Sequence, residues 1–124
     1  MLVNKIKDYL RNRNSENWHE AFILDLAKLL RPKNYIELGL YRCKLFNNII
    51  PYADKLVGVD MSPKVGAFMK KCQKTEFHEM MTGEYFEEFK KNPFEIDMIF
   101  IDADHSAKSV MEDFRNFFPY VKDQ

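Results

Sequence analysis

Acidic side chains in this sequence fall at the ends of apolar runs, where a folded chain would gather them. Glu37 stands two residues before Gly39 in Tyr35-Ile36-Glu37-Leu38-Gly39. Asp60 closes Lys55-Leu56-Val57-Gly58-Val59-Asp60. Asp102, Asp104 and His105 follow Ile96-Asp97-Met98-Ile99-Phe100-Ile101. If each run is a strand of one parallel sheet, these groups share a rim, because ligands of such sheets dock outside the carboxyl ends of the strands. A rim of carboxylates suits a ligand that is cationic and carries hydroxyls. Asp60 lies some 20 residues after Gly39, the spacing at which a nucleotide-binding βαβ unit sets a carboxylate against ribose hydroxyls. A diphosphate fits poorly. It needs close backbone approach across a G-x-G-x-x-G turn, and Gly39-Leu40-Tyr41-Arg42-Cys43-Lys44 supplies only the first glycine.

Each of these residues also has a plainer role. Gly39 suits a turn that needs an unusual backbone angle. Glu37 suits an ion pair with a neighbouring cation, and Asp60 a helix cap or turn before Ser62. Asp102, Asp104 and His105 suit the loop and cap of a following helix. Short motifs taken singly do not separate the two readings. Joint placement at successive strand ends favours the functional one.

The elements that must position these groups alternate between two periodicities. Leu2, Ile6, Tyr9 and Leu10 recur at helical spacing, and Ser15 is a candidate N-cap for a second helix. The apolar face of that helix is expected on Trp18, Phe22, Leu26, Leu29 and Leu30, with Pro32 ending it. Strands are expected over 35–39, 55–60, 76–80 and 96–102. Helices are expected around Leu45–Ile50, from Ser62-Pro63 through Val65, Phe68, Met69 and Cys72, around Tyr85–Phe89, and along Val110, Met111, Phe114, Phe117 and Phe118 up to Pro119. Two leading helices followed by strand–helix units make an α/β, three-layer, Rossmann-like parallel sheet with helices on both faces. Residues 1–124 read as one domain, with the N-terminal helices in 1–33 and the sheet core in 34–124.

Bulk properties narrow the function. The chain has 124 residues, 46% hydrophobic and 15% aromatic, enough for a core and too few for two ordinary domains. Lys+Arg and Asp+Glu are 19 each, without the basic excess of a nucleic-acid binder. Lys70-Lys71 and Lys90-Lys91 read as solvated helix faces. Cys43 and Cys72 fall in segments expected to be helical and read as free buried thiols of a reducing cytoplasm. The charged N-terminus lacks the apolar run of a signal peptide, and no stretch reaches the roughly 18 apolar residues of a membrane span.

Three segments together resemble the class I S-adenosylmethionine-dependent methyltransferases. Tyr35–Arg42 is similar to their first motif, in the E-L-G-x-Y-x-G form found in small-molecule and sugar O-methyltransferases. Val57-Gly58-Val59-Asp60-Met61-Ser62-Pro63 is similar to V-G-V-D-x-S-P. Asp97–Ser106 is similar to D-x-I-F-I-D-G-D-H-S. The resemblance runs from about Tyr35 to the end. It implies the strand order 3-2-1-4 for the four strands supplied out of seven, so the chain is expected to be a truncated domain with an open edge at its fourth strand. It also implies S-adenosylmethionine as cofactor and a small-molecule methyl acceptor. Glu37, Gly39 and Tyr41 would then lie along the cofactor's methionine end, Asp60 on its ribose, and Met61 with Thr82 on its adenine. Asp102 would face the sulfonium, and Asp102 and His105 are the candidate bases. Cys43 departs from the pattern where glycine is usual, and Ala103 departs more mildly. A non-catalytic cofactor-binding fragment, or an interaction domain completed by a partner, is the alternative. A tight divalent metal is not expected, because only Asp102, Asp104 and His105 are on offer. An edge left open predicts self-association.

Overall fold

The computed structural model describes residues 18–102 and 106–123. The expected first helix, the Ser15 cap, Asp104 and His105 lie outside the described residues. Helix α1 (Trp18–Leu30) leads into strand β1 (Asn34–Leu38), helix α2 (Lys44–Ile49), β2 (Lys55–Asp60), β3 (Thr75–Glu79), α3 (Thr82–Lys91), β4 (Met98–Ile101) and α4 (Ala107–Phe117). All pairings are parallel and the strand order is β3-β2-β1-β4. Because strand side chains alternate between faces, each face has its own core. Tyr35, Leu56 and Met98 pack under α1 and α2 with Phe46 and Ile49. Ile36, Leu38, Val57 and Val59 pack under α3 and α4 with Tyr85, Phe89 and Phe117. This is the expected three-layer architecture.

Five details depart from the sequence reading. The segment after Pro63 makes only a 3-10 turn, Val65–Phe68, and Lys70, Lys71 and Cys72 lie beyond it, exposed. A distant side chain is the reason: Asn47 of α2 donates to the Phe68 carbonyl at 2.9 Å and accepts from the Lys70 N–H at 2.9 Å, groups a longer helix would have used itself. The cysteines are therefore not alike. Cys43 is a buried loop residue at the N-cap position of α2, and Cys72 is exposed. On α1 the buried residue is Ala27, with Ile23, Leu24 and Leu26 beside it, whereas Leu29 and Leu30 face outward. On α4, Phe117 is buried while Met111, Phe114 and Phe118 are exposed. Outside β4, Val121 pairs in parallel with Ile96 through Ile96 N–H to Tyr120 and Lys122 N–H to Ile96, at 2.9 and 2.8 Å. The segment entering the fourth strand is thus engaged on its outer side at Ile96, so the edge expected over 96–102 is not open throughout. Lys90 and Lys91 do lie on an exposed helix face, paired with Glu87 and Glu88. No described helix is long and apolar enough to cross a membrane.

Candidate functional site

A cleft of about 310 Å³ opens at the carboxyl ends of β1 and β4, lined by Glu20, Glu37, Gly39–Arg42, Lys44, Leu45, Phe100 and Asp102. The register sets Glu37 opposite Phe100 on adjacent strands and on the α1 face of the sheet. Glu37 is 2% exposed. Its Oε1 accepts a 2.6 Å hydrogen bond from the Tyr35 hydroxyl, its neighbour two residues back on the same face. Among the described residues no cation pairs with it, so the ion-pair alternative does not hold. Burial pushes the Glu37 carboxyl up to about 8. The Tyr35 bond works against that rise, while the charges of Glu20 and Asp102 add to it.

The floor of the cleft is the turn after β1, and its backbone is unusual. Gly39 has φ 91°, Tyr41 φ 52° and Cys43 φ 57°. Gly39 therefore needs its missing Cβ, as the plainer reading also held. Cys43 takes the left-handed conformation that explains why glycine is usual at this place. The turn closes through Cys43 N–H to Leu40 at 2.7 Å, and the buried Cys43 thiol lies 3.7 Å from the Val65 carbonyl. Burial, followed by the charges of Glu37 and Asp60, raises that thiol to about 11, so it stays protonated and is not a nucleophile at neutral pH.

Both carboxylate oxygens of Asp60 accept backbone hydrogen bonds. Oδ1 accepts from the Ser62 N–H and Oδ2 from the Leu40 N–H, each at 2.9 Å. The first is the turn bond of the plainer reading. The second reaches across from β2 to hold the cleft's floor in place. Gly58 belongs to the same device. A Cβ there would lie 2.8 Å from Leu40 Cδ1 and 2.9 Å from Met69 Cε, so its absence lets Leu40 settle on the sheet. Tyr41, half exposed, carries a phenol raised by burial and then by the charges of Asp102 and Asp60.

The structure thus brings Glu37, Gly39, Tyr41 and Asp102 to one cleft, with Asp60 bonded to its floor. Met61 is exposed just beyond Asp60. Thr82 begins α3 and gives its hydroxyl to Asp113 of α4 at 2.7 Å, a bond between helices. His105 lies outside the described residues. Sequence reasoning missed Glu20, Phe100, Arg42 and Lys44 as cleft residues. Phe100 carried a signal, since it alternates with Ile99 and Ile101 and had to face α1. Glu20 carried none. Among the described residues no group of three or more metal-ligating side chains is arranged to hold an ion.

A family model described as a methyltransferase domain matches residues 36–124. No curated protein matches the sequence. Solved structures match the fold. An O-methyltransferase from Bacillus cereus, in complex with SAH, superposes with TM-score 0.74 at 14% identity, covering 96% of this chain and 62% of that one. The N-methyltransferase NodS from Bradyrhizobium japonicum, in complex with S-adenosyl-L-homocysteine, gives 0.65 at 12% identity over 90% of this chain and 60% of that one. Spermidine synthase from Thermotoga maritima gives 0.58 at 15% identity over 77% and 38%. The chain therefore spans less than two thirds of the length of these proteins.

Proposed function

The chain belongs to the methyltransferase domain family, and on that footing we propose that it binds S-adenosylmethionine and presents it for methyl transfer to an oxygen nucleophile of a small molecule. The observation that carries this reading is the cleft itself, which sets Glu37, Gly39, Tyr41 and Asp102 around one space at the strand ends. The donor set fits the ligand. Carboxylates face a sulfonium and an ammonium, Arg42 and Lys44 suit its carboxylate, and the single glycine leaves no cradle for a diphosphate. Glu37 and Gly39 hold the methionine end, with Tyr41 above them. Asp60 keeps lone pairs for the ribose hydroxyls while tying down the floor through Leu40, and Met61 with the Thr82 segment borders the adenine.

Bound cofactor supplies an electrophilic methyl group on positively charged sulfur. The chain's own part is alignment and charge: the cleft fixes the direction from which an acceptor approaches, and Asp102 stands at the end of β4 to stabilise the cation or take the acceptor's proton. Residues 1–124 act in this reading as one cofactor-binding domain. The outer side of β4 beyond Ile96 is where a second copy would attach. Support for an oxygen acceptor is the E-L-G-x-Y form of the first motif and the fold shared with an O-methyltransferase.

A ligand that binds only the native state raises its stability by mass action. Thermal melts with S-adenosylmethionine and S-adenosylhomocysteine at millimolar concentration test the reading. A rise of several degrees with either ligand is expected. No rise with both would reject the cofactor.

A further inference from the structure

Glu20 belongs to none of the three motifs and comes from α1 rather than the sheet, yet it lines the same cleft as Glu37 and Asp102. Contacts of its neighbours seat this part of α1 against the sheet. The ring of His19, its neighbour, lies 6.4 Å from that of Phe100 on β4. One turn further on, Ile23 and Leu24 pack on the core of that face. Among the charges that raise the buried Glu37 carboxyl, that of Glu20 ranks before that of Asp102. Its field therefore reaches the inner end of the cleft. The acids come from α1, β1 and the end of β4. The cleft's cations, Arg42 and Lys44, come from the turn and from the start of α2. Acids gathered from three elements around one space favour a cation placed among them.

We propose that Glu20 is a donor-selecting residue, which biases the cleft toward the sulfonium form of the cofactor and against its neutral thioether product. This rests on the reading of the cleft as a cofactor site. Transfer removes one positive charge from the ligand. The carbon–sulfur bond breaks and its electron pair stays on sulfur, leaving a thioether. The methyl carbon bonds to the acceptor's oxygen, and the acceptor's proton leaves to solvent. A fixed carboxylate on α1 thus favours the ligand before transfer and loses its hold afterwards, which assists product exchange.

One unit charge acting on another across a partly hydrated cleft changes affinity by roughly fivefold. Calorimetric titration of wild type, Glu20→Gln and Glu20→Asp with each ligand at low salt reads the effect. Glu20→Gln is expected to weaken S-adenosylmethionine roughly fivefold while S-adenosylhomocysteine changes by less than about twofold. Glu20→Asp should keep the wild-type ratio. In wild type, S-adenosylmethionine should lose more affinity than S-adenosylhomocysteine as salt rises, because charges near solvent are screened. Glu20→Ala gives the same reading if Glu20→Gln does not fold. Equal weakening of both ligands, or a ratio indifferent to removal of the Glu20 charge, overturns the proposal while leaving the cofactor site standing. Absence of binding by either ligand to wild type overturns both.

Discussion

Cys43 offers a test of how the cleft's floor is built. Its φ of 57° and ψ of 22° are left-handed, a conformation that costs an L-residue with a Cβ about 1–2 kcal/mol and glycine almost nothing. The side chain is fully buried, so Cys43→Ala and Cys43→Gly lose the same thiol, and the step between them isolates the backbone. Two terms oppose glycine: the lost burial of one methyl group, about 0.8 kcal/mol, and the greater freedom of the unfolded chain, about 0.4–1 kcal/mol. Relief of left-handed strain offsets both. The two variants should therefore match within about 0.5 kcal/mol. At Ala27, buried in the interior of α1, the same step to glycine has no strain to relieve and should cost about 1.3–1.8 kcal/mol. Urea unfolding with a common slope measures all three. If Cys43→Gly falls below Cys43→Ala by as much as Ala27→Gly falls below wild type, position 43 is not strained and the account of the turn is wrong.

Two further outcomes follow from the same geometry. Glu37 has a folded-state pKa raised to about 8, so between roughly pH 4.5 and 8 the unfolded chain releases a proton that the folded chain keeps. Wild-type stability should fall across that window by a few kcal/mol at most and level off above it. Glu37→Gln should lack this decline in urea midpoints at pH 5 and 8, and parallel pH profiles would contradict the burial argument. Asp60→Ala leaves the Leu40 and Ser62 N–H groups without their acceptors. It should cost about 1–3 kcal/mol and weaken cofactor binding beyond what lost stability explains. Unchanged affinity in calorimetry would detach Asp60 from the site.

The centre of the sheet was legible because β1 and β2 are buried on both faces. Val57 and Val59 serve one face and Leu56 the other, so the run shows as continuous apolar sequence, and β2 has the bounds expected of it. What failed was set by contacts distant in sequence. The Asn47 side chain takes the backbone groups that a longer helix after Pro63 would use. Leu29 and Leu30 continue an apolar pattern beyond the part of α1 that meets the core. The strand-end acids announced themselves through strand position, and Glu37, Asp60 and Asp102 all touch the cleft or its floor. Glu20 did not, because a glutamate on a helix looks like solvent-facing charge until the packing of α1 turns it toward β4. Cys43 was visible as a departure from pattern, and its meaning needed the backbone angle.

The central claim is that the cleft at the ends of β1 and β4 is where the cofactor binds. Amide spectra of the isotopically labelled chain, recorded while S-adenosylhomocysteine is added, test it most directly. The largest shifts should fall on Glu37, on Gly39–Lys44, at Asp60–Ser62 and at Asp102, and little should move around Lys55, His78 and Phe94, which line a separate groove between β3 and α3. Shifts concentrated in that groove, or none at millimolar ligand, would contradict the account.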